Sequence, residues 1–297
     1  MTRPTLVVRP VPMRLGSISG GRFDLAPAAI DDALERYVAH GPEDPGRLQE
    51  IGIALEYPDP MNDVAAMTPA DAFDWIRRAI ALGTEDMGRP RPDQAVVVLG
   101  GDNSITRPGV HAMTPPPADL HRVGLLTIDA HHDLRPLEGG LTNGNPVRAL
   151  IDDGLPGANV IQVGINPMAN SPALARVAEE AGITVVTADE ARRRGMVSVM
   201  QDALDELAGR ADAIYVDLDV DVLDRAFAPA CPGARPGGLT PADVQAAARI
   251  AGAHPKVRAM DIVEVDPSKD VADVTVLAAA SFLLSFAAGL VSRPAAD

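Results

Sequence analysis

Four short segments place acids, imidazole or glycine at spacings that can do chemistry. The first, Asp129-Ala130-His131-His132-Asp133, directly follows an apolar run over residues 123–128. In extended backbone alternate side chains share a face, so Asp129, His131 and Asp133 would present two carboxylates and an imidazole together. The second, Asp217-Leu218-Asp219-Val220-Asp221, leaves another apolar strand with three alternating acids and is followed by Asp224. Carboxylates stacked in this way repel one another and are costly to bury unless a cation neutralises them. Mixed oxygen and imidazole ligands suit a hard divalent ion, with Mn²⁺ the natural candidate. Two such clusters suggest two ions sharing carboxylates, an arrangement that hydrolases use to activate water. Either cluster alone is common as solvated polarity at a strand end, and Asp217 can be read as a strand cap. The coincidence of both in one chain points to a metal. The third segment, Asp261-Ile262-Val263-Glu264, brings a carboxylate out of a central strand, where it calls for a cationic partner. The fourth, Gly100-Gly101-Asp102-Asn103-Ser104, reads by itself as a strand-to-helix turn with room for close backbone approach.

Strands alternating with helices must position these segments. Short β-branched runs predict strands over 5–8, 95–99, 123–128, 160–163, 184–186, 213–216 and 257–262. Between them, Ala-rich stretches predict helices over 26–38, 69–82, 146–153, 172–181, 197–207, 241–251 and 276–291. Thr68-Pro69 and Thr240-Pro241 each set a capping hydroxyl before a first-turn proline. The alternation implies a mainly parallel sheet with helices on both faces. In such sheets ligands bind at the carboxyl ends of the strands, which is where the unusual residues sit. No composition shift divides the 297 residues, so one domain over 1–297 is expected. Pro115-Pro116-Pro117 reads as a surface loop.

Composition narrows the function. The net charge is −15, which disfavours phosphate backbones and anionic lipids, so neither nucleic acid nor membrane is expected as a partner. The single cysteine, Cys231, permits no intrachain disulfide and fits a reducing, cytoplasmic setting. The N-terminal residues hold no apolar stretch of signal-peptide length. The longest apolar run, 276–291, contains Ser281 and Ser285, falls short of a bilayer span and reads as a buried helix.

Taken together, the segments resemble the ureohydrolase family of arginase, agmatinase and formimidoylglutamase. The resemblance runs from Ser17-Ile18-Ser19-Gly20-Gly21-Arg22, with Ala26-Pro27, to Glu264 and the helix after it, with the motifs in family order. It implies a three-layer α/β arginase-like fold with a central, mainly parallel eight-stranded sheet and two Mn²⁺ ions. One ion would be held by Asp129, Asp133 and Asp219, with Asn103 at a position where the family usually has histidine. The other would be held by His131, Asp129, Asp219 and Asp221. The resemblance further implies that a hydroxide shared by the ions attacks the amidine carbon. Asp133 would relay the proton, Glu264 would pair with the cationic amidine, and Asp224 would lie beside the ligands. Two departures bear on this scheme. An asparagine amide is a weaker ligand than imidazole, so the ion near Asn103 would be loosely held. Asn143 replaces a proton-shuttling histidine and cannot titrate, which leaves that role to another group such as His132, or to solvent.

Gly-Gly-Asp-Asn-Ser, Asp-Ala-His-His-Asp-Leu-Arg, Thr-Asn-Gly-Asn-Pro-Val-Arg and the stretch from Gly164 to Ser171 look like one branch of formimidoylglutamases. Arg135 lies where arginase meets the amino-acid end of its substrate, and a guanidinium can clamp a carboxylate there. Asn143 and Asn145 fall with it among the substrate-binding positions. Arg135 can equally be read as an ion-pair partner of Asp133 or Glu138, and Arg148 is a weaker candidate on a helix. The expected reaction is hydrolysis of N-formimidoyl-L-glutamate to L-glutamate and formamide, a step of histidine degradation. Its rivals are another guanidino or amidino substrate (guanidinobutyrate, arginine or agmatine) and a non-catalytic binding or regulatory subunit. A homo-oligomer, trimeric or hexameric, is implied by the resemblance. Cys231, His40, His111, His121 and His254 read as loop, surface or packing residues.

Overall fold

Aliphatic runs without polar interruption make strands only where both faces can be covered. The computed structural model describes residues 4–37, 54–56, 62–81, 93–114 and 119–293. Its strands are β1 (Thr5–Val11), β2 (Ala54–Glu56), β3 (Gln94–Gly100), β4 (Val123–Ile128), β5 (Val160–Ile165), β6 (Thr184–Thr187), β7 (Ala213–Asp219) and β8 (Val257–Val263). They pair in parallel throughout, in the order β2-β1-β3-β8-β7-β4-β5-β6. Seven strands of four to seven residues form the body of the sheet, and β2 adds three residues at one edge. The last two strands return to the middle, so β7 and β8 separate β3 from β4.

Nine helices follow among the described residues: α1 (Ala26–Leu34), α2 (Pro69–Ala81), α3 (Thr106–His111), α4 (Pro146–Asp152), α5 (Pro172–Ala181), α6 (Ala188–Arg194), α7 (Met196–Ala208), α8 (Pro241–Ala253) and α9 (Val274–Val291). Alternate strand residues feed two cores. Leu6 and Val8 of β1 pack with Ile30 of α1, Leu204 of α7 and Phe282 of α9. Val7 and Val11 pack with Ile76 of α2 and Leu150 of α4. The result is helix, sheet and helix in three layers.

Helix ends follow the sequence signals. Thr240 accepts from Asp243 N while the Asp243 side chain accepts from Thr240 N, closing a capping box before Pro241. Thr68 accepts from Asp71 N at the start of α2. Apolar on every side, α9 has no face for water. It is long and apolar enough to cross a bilayer by composition, yet 78% of it is buried in this fold. Ser281 and Ser285 are accommodated by donating to the carbonyls of Ala278 and Ser281.

Three elements were not expected. β2 is only three residues long, α3 spans six residues around Pro108, and α6 is a charged segment without an apolar stripe. None offers the periodicity that marks an element in sequence. Three expectations lie outside the described residues: Pro115–Pro117, His40, and the predicted helix ends at Val38 and Leu82.

Candidate active site

The site assembles at the carboxyl ends of four adjacent strands. Asn103 follows β3, Glu264 follows β8, Asp219 ends β7, and Asp129 begins the loop after β4. A cavity of about 150 Å³ opens there, lined by His131, Asp133, Arg135, Asn143, Asp219, Asp221 and Glu264, together with Ser19, Gly233 and Arg235.

Strand alternation is not what brings Asp129, His131 and Asp133 together. β4 ends at Ile128, and the residues beyond it form a bent loop. Asp129 N donates to Val163 O, His131 N donates to the Asp129 carboxylate at 2.6 Å, and Asp133 adopts a left-handed backbone with φ 54°. Such a conformation costs about 1–3 kcal/mol in a non-glycine residue and persists only where its surroundings impose it. Glu264, with φ 68°, is a second case. Beyond β7 a single 3-10 turn, Val220–Val222, aims Asp221 at the same point.

His131 Nδ1 lies 2.9 Å from Asp221 Oδ2 and 3.6 Å from Asp129 Oδ1. Asp129, His131 and Asp221 each offer one ligand atom, all within 4.8 Å of one another, and Asp133 and Asp219 line the same cavity. Burial, then the Asp221 charge, pushes the Asp129 carboxyl up to about 7. Burial likewise raises Asp133 and Asp219, with Asp129 and Asp221 respectively adding to the effect. Asp221, with Asp129 and against the effect of burial, holds the His131 imidazole protonated, its pKa pushed up to about 12. Burial opposes ionisation of Asp221, but His131 brings that carboxyl below its ordinary value. A buried set of hard oxygens with one imidazole, short of positive charge, fits a divalent cation.

Glu264 meets no cation among the described side chains. Its Oε1 accepts from Asn103 N at 2.8 Å and from Asn143 Nδ2 at 2.9 Å. Burial, and next the nearby Asp102, raises its pKa to about 8. Asn143 is held by Ile18 N, which donates to its Oδ1.

Three residues expected to act in the site have other partners in this structure. Asn103 turns its amide nitrogen, not its oxygen, into the site: Nδ2 donates to Asp133 Oδ2 at 2.6 Å. Its oxygen lies 2.7 Å from Thr106 Oγ1, which is also 2.8 Å from Asp261 Oδ2. A carboxylate neighbour calls for a donor, so in this geometry Asn103 braces Asp133 through its amide nitrogen. His132 faces away from the cavity, since adjacent residues diverge, and its Nδ1 pairs with Gln162 Oε1 at 2.7 Å. Asn145 is buried and spent on its own loop: it accepts from Thr142 N and donates to the carbonyls of Pro136 and Gly140.

Arg135 is exposed at the cavity mouth and forms no ion pair with Asp133, Glu138 or any other described residue. Arg148 pairs with Asp152 on α4, away from the cavity. Asp224 ties down its own loop, accepting from Ala226 N and Gly237 N. Asp217 is fully buried beside Thr127 and Asp261, one step behind the cluster. His111 does find a carboxylate, Asp153, at 2.9 Å. Cys231 is buried, and burial raises its thiol well above the ordinary range. The residue that sequence reasoning missed is Arg235. Its only signal was a cation in the Pro- and Gly-rich stretch after the second acidic cluster.

A parallel three-layer fold with a buried acidic cluster at the ends of its central strands defines a class that comparison identifies directly. A family model described as the arginase family matches residues 5–289, and the chain belongs to that family. Among its relatives, the formimidoylglutamase of Halalkalibacterium halodurans is 33% identical over 280 residues, covering 94% of this chain and 85% of that one. The formimidoylglutamase of Bacillus subtilis is 32% identical over 286 residues, covering 96% and 86%. The crystal structure of formimidoylglutamase from Bacillus subtilis superposes with a TM-score of 0.83 at 30% identity, covering 99% of this chain and 89% of that one.

Proposed function

We propose that the chain is a manganese-dependent hydrolase that converts N-formimidoyl-L-glutamate and water to L-glutamate and formamide. The observation that carries this reading is the polarity of the cavity. Glu264, a buried acid outside the set that would hold the metal, suits a cationic amidine, while Arg135, which has no ion pair among the described residues, stands at the mouth for a carboxylate. Agmatine has no carboxylate, and its free amine would be repelled by Arg135. The relatives named formimidoylglutamase support the same reading.

Asp129, His131, Asp133, Asp219 and Asp221 are the residues that would hold the metal. When bound, the metal supplies the Lewis acidity that makes water a nucleophile near neutral pH. The chain's own groups do the rest. Glu264, engaged through Oε1, keeps Oε2 for an amidine N–H, and the incoming positive charge favours its ionised form. Asn103 and Asn143 fix that carboxylate from two sides. Asp133, held through Oδ2 by Asn103, would relay the proton released by water to the departing amine. His132 takes no part, because its ring lies outside the cavity. A cytoplasmic, homo-oligomeric enzyme accords with this reading.

The test is formamide release by protein preincubated with Mn²⁺, with formimidoylglutamate run beside arginine, agmatine and guanidinobutyrate. Turnover of formimidoylglutamate alone, lost in Asp129→Ala together with bound manganese, is the expected result. Preference for another amidine would overturn the substrate, and manganese binding without turnover of any of them would overturn the activity.

A further inference from the structure

Arg235 lines the cavity from the loop after β7, while Arg135 lines it from the loop after β4. In a chain with 41 acidic residues against 26 Lys and Arg, two guanidiniums at one acidic cavity need a reason. Neither forms an ion pair with a described residue.

The Arg235 loop is built to hold its side chain. Asp224 Oδ2 accepts from Gly237 N at 2.7 Å, and Asn166 Nδ2 donates to Pro236 O at 3.3 Å. Arg192 Nη1 donates to the carbonyls of Gly237 and Gly238, and Arg225 N donates to Arg235 O. Nη1 of Arg235 reaches the carbonyls of Pro232, Gly233 and Ala234 at 2.9, 2.9 and 3.0 Å. Its Nε and Nη2 have no hydrogen bond to a described residue. A guanidinium anchored by one nitrogen keeps its remaining N–H groups aligned for an anion at small entropic cost.

Resting on the substrate reading above, we propose that Arg235 is a specificity-determining residue. It binds one carboxylate of a dicarboxylic amidine, and Arg135 binds the other. Two rim cations then match two carboxylates, while Glu264 takes the amidine. Arginine brings one carboxylate and an ammonium, guanidinobutyrate one carboxylate and agmatine none, so each leaves a rim guanidinium unmatched.

Calorimetry on the manganese-loaded protein tests this with inert mimics. N-acetyl-L-glutamate carries both carboxylates, N-acetyl-2-aminobutyrate lacks the side-chain one, and N-acetyl-4-aminobutyrate lacks the α one. Arg235→Gln should weaken N-acetyl-L-glutamate about 10- to 100-fold, as loss of a charge-assisted pair does. It should weaken one singly acidic mimic by a similar factor and the other at least tenfold less, with Arg135→Gln giving the reverse pattern. Arg235→Lys should keep more of the discrimination than Arg235→Gln. Equal losses on both singly acidic mimics, or lost manganese, would mean that Arg235 only holds its loop, and no loss at all would equally sink the proposal. Wild-type turnover of formimidoylglutamate is measured in parallel. Its absence would overturn the substrate reading, while the isotherms still decide what Arg235 binds.

Discussion

Glu264 is a buried carboxylate whose partners among the described residues are neutral N–H donors, and that makes it expensive to the fold. Its raised pKa, about 8, follows first from burial. Glu264→Gln removes the charge and retains an acceptor for Asn103 N and Asn143 Nδ2. It should lower kcat/KM for the amidine by about 10²-fold, the scale of losing a buried charge pair with substrate. The same variant should raise the melting temperature at pH 8 in chelator by about 2–4 °C, because a marginal charge no longer has to be buried. A variant that loses activity and also melts lower would show that Glu264 holds the fold together. Arg135 stood out in sequence by its place two residues after Asp133, and the structure sets it at the cavity mouth. The partners of Asn145 are backbone groups of a loop whose path no residue type announces, so they could not be read from the sequence.

At the level of elements, the loop after β7 touches the acidic cluster through a missing side chain. A Cβ built on Gly233 would collide with Asp221 Oδ2 and lie 3.1 Å from His131 Cε1. Gly233→Ala should therefore displace a candidate ligand and weaken manganese binding by about 10- to 100-fold, measured by competition with a metal indicator. Unchanged affinity would place Asp221 outside the ligand set. Far from the cavity, the Thr240–Asp243 capping box begins α8. Thr240→Ala should cost about 1 kcal/mol in urea unfolding of the metal-loaded protein and leave kcat and KM alone. The loops and caps thus separate cleanly by what they touch.

For the molecule as a whole, the acidic cluster links stability to pH and to metal. Asp129 and Glu264 have folded pKa values near 7 and 8, above their ordinary values of 3.8 and 4.5, and His131 is raised from 6.5 to about 12. In each case the folded state binds more protons than the unfolded chain as pH rises from 5 to 8. Stability in chelator should therefore fall across that window. Mn²⁺ bound at the cluster would displace the Asp129 and His131 protons, so its stabilising effect should grow from pH 5 to pH 8. Melting curves at both pH values, with chelator and with Mn²⁺, check this. A chelated protein that is more stable at pH 8 than at pH 5 would contradict a protonated Asp129, Glu264 and His131 in the folded state. Asp153 has the opposite sign. Burial raises it, but His111 and Arg107 outweigh burial and bring it down to about 2, so its contribution is lost only as pH falls below its ordinary 3.8.

Residue type and local period were enough to mark the strands that lead into the site, the helix caps at Thr68 and Thr240, and the acids a cation would need. These are local properties: an apolar run, a hydroxyl before a proline, carboxylates too close together to be stable alone. Three other properties arose only when the chain closed. β7 and β8 insert between β3 and β4, and this brings Asn103, Asp129, Asp219 and Glu264 to one edge although more than 160 residues separate the first from the last. The turn at Asp133 and the orientation of Asn103 depend on partners distant in sequence. Arg235 faces the cavity because Asp224, Asn166, Arg192 and Arg225 hold its loop there, and long-range hydrogen bonds of that kind leave no periodic trace in a sequence.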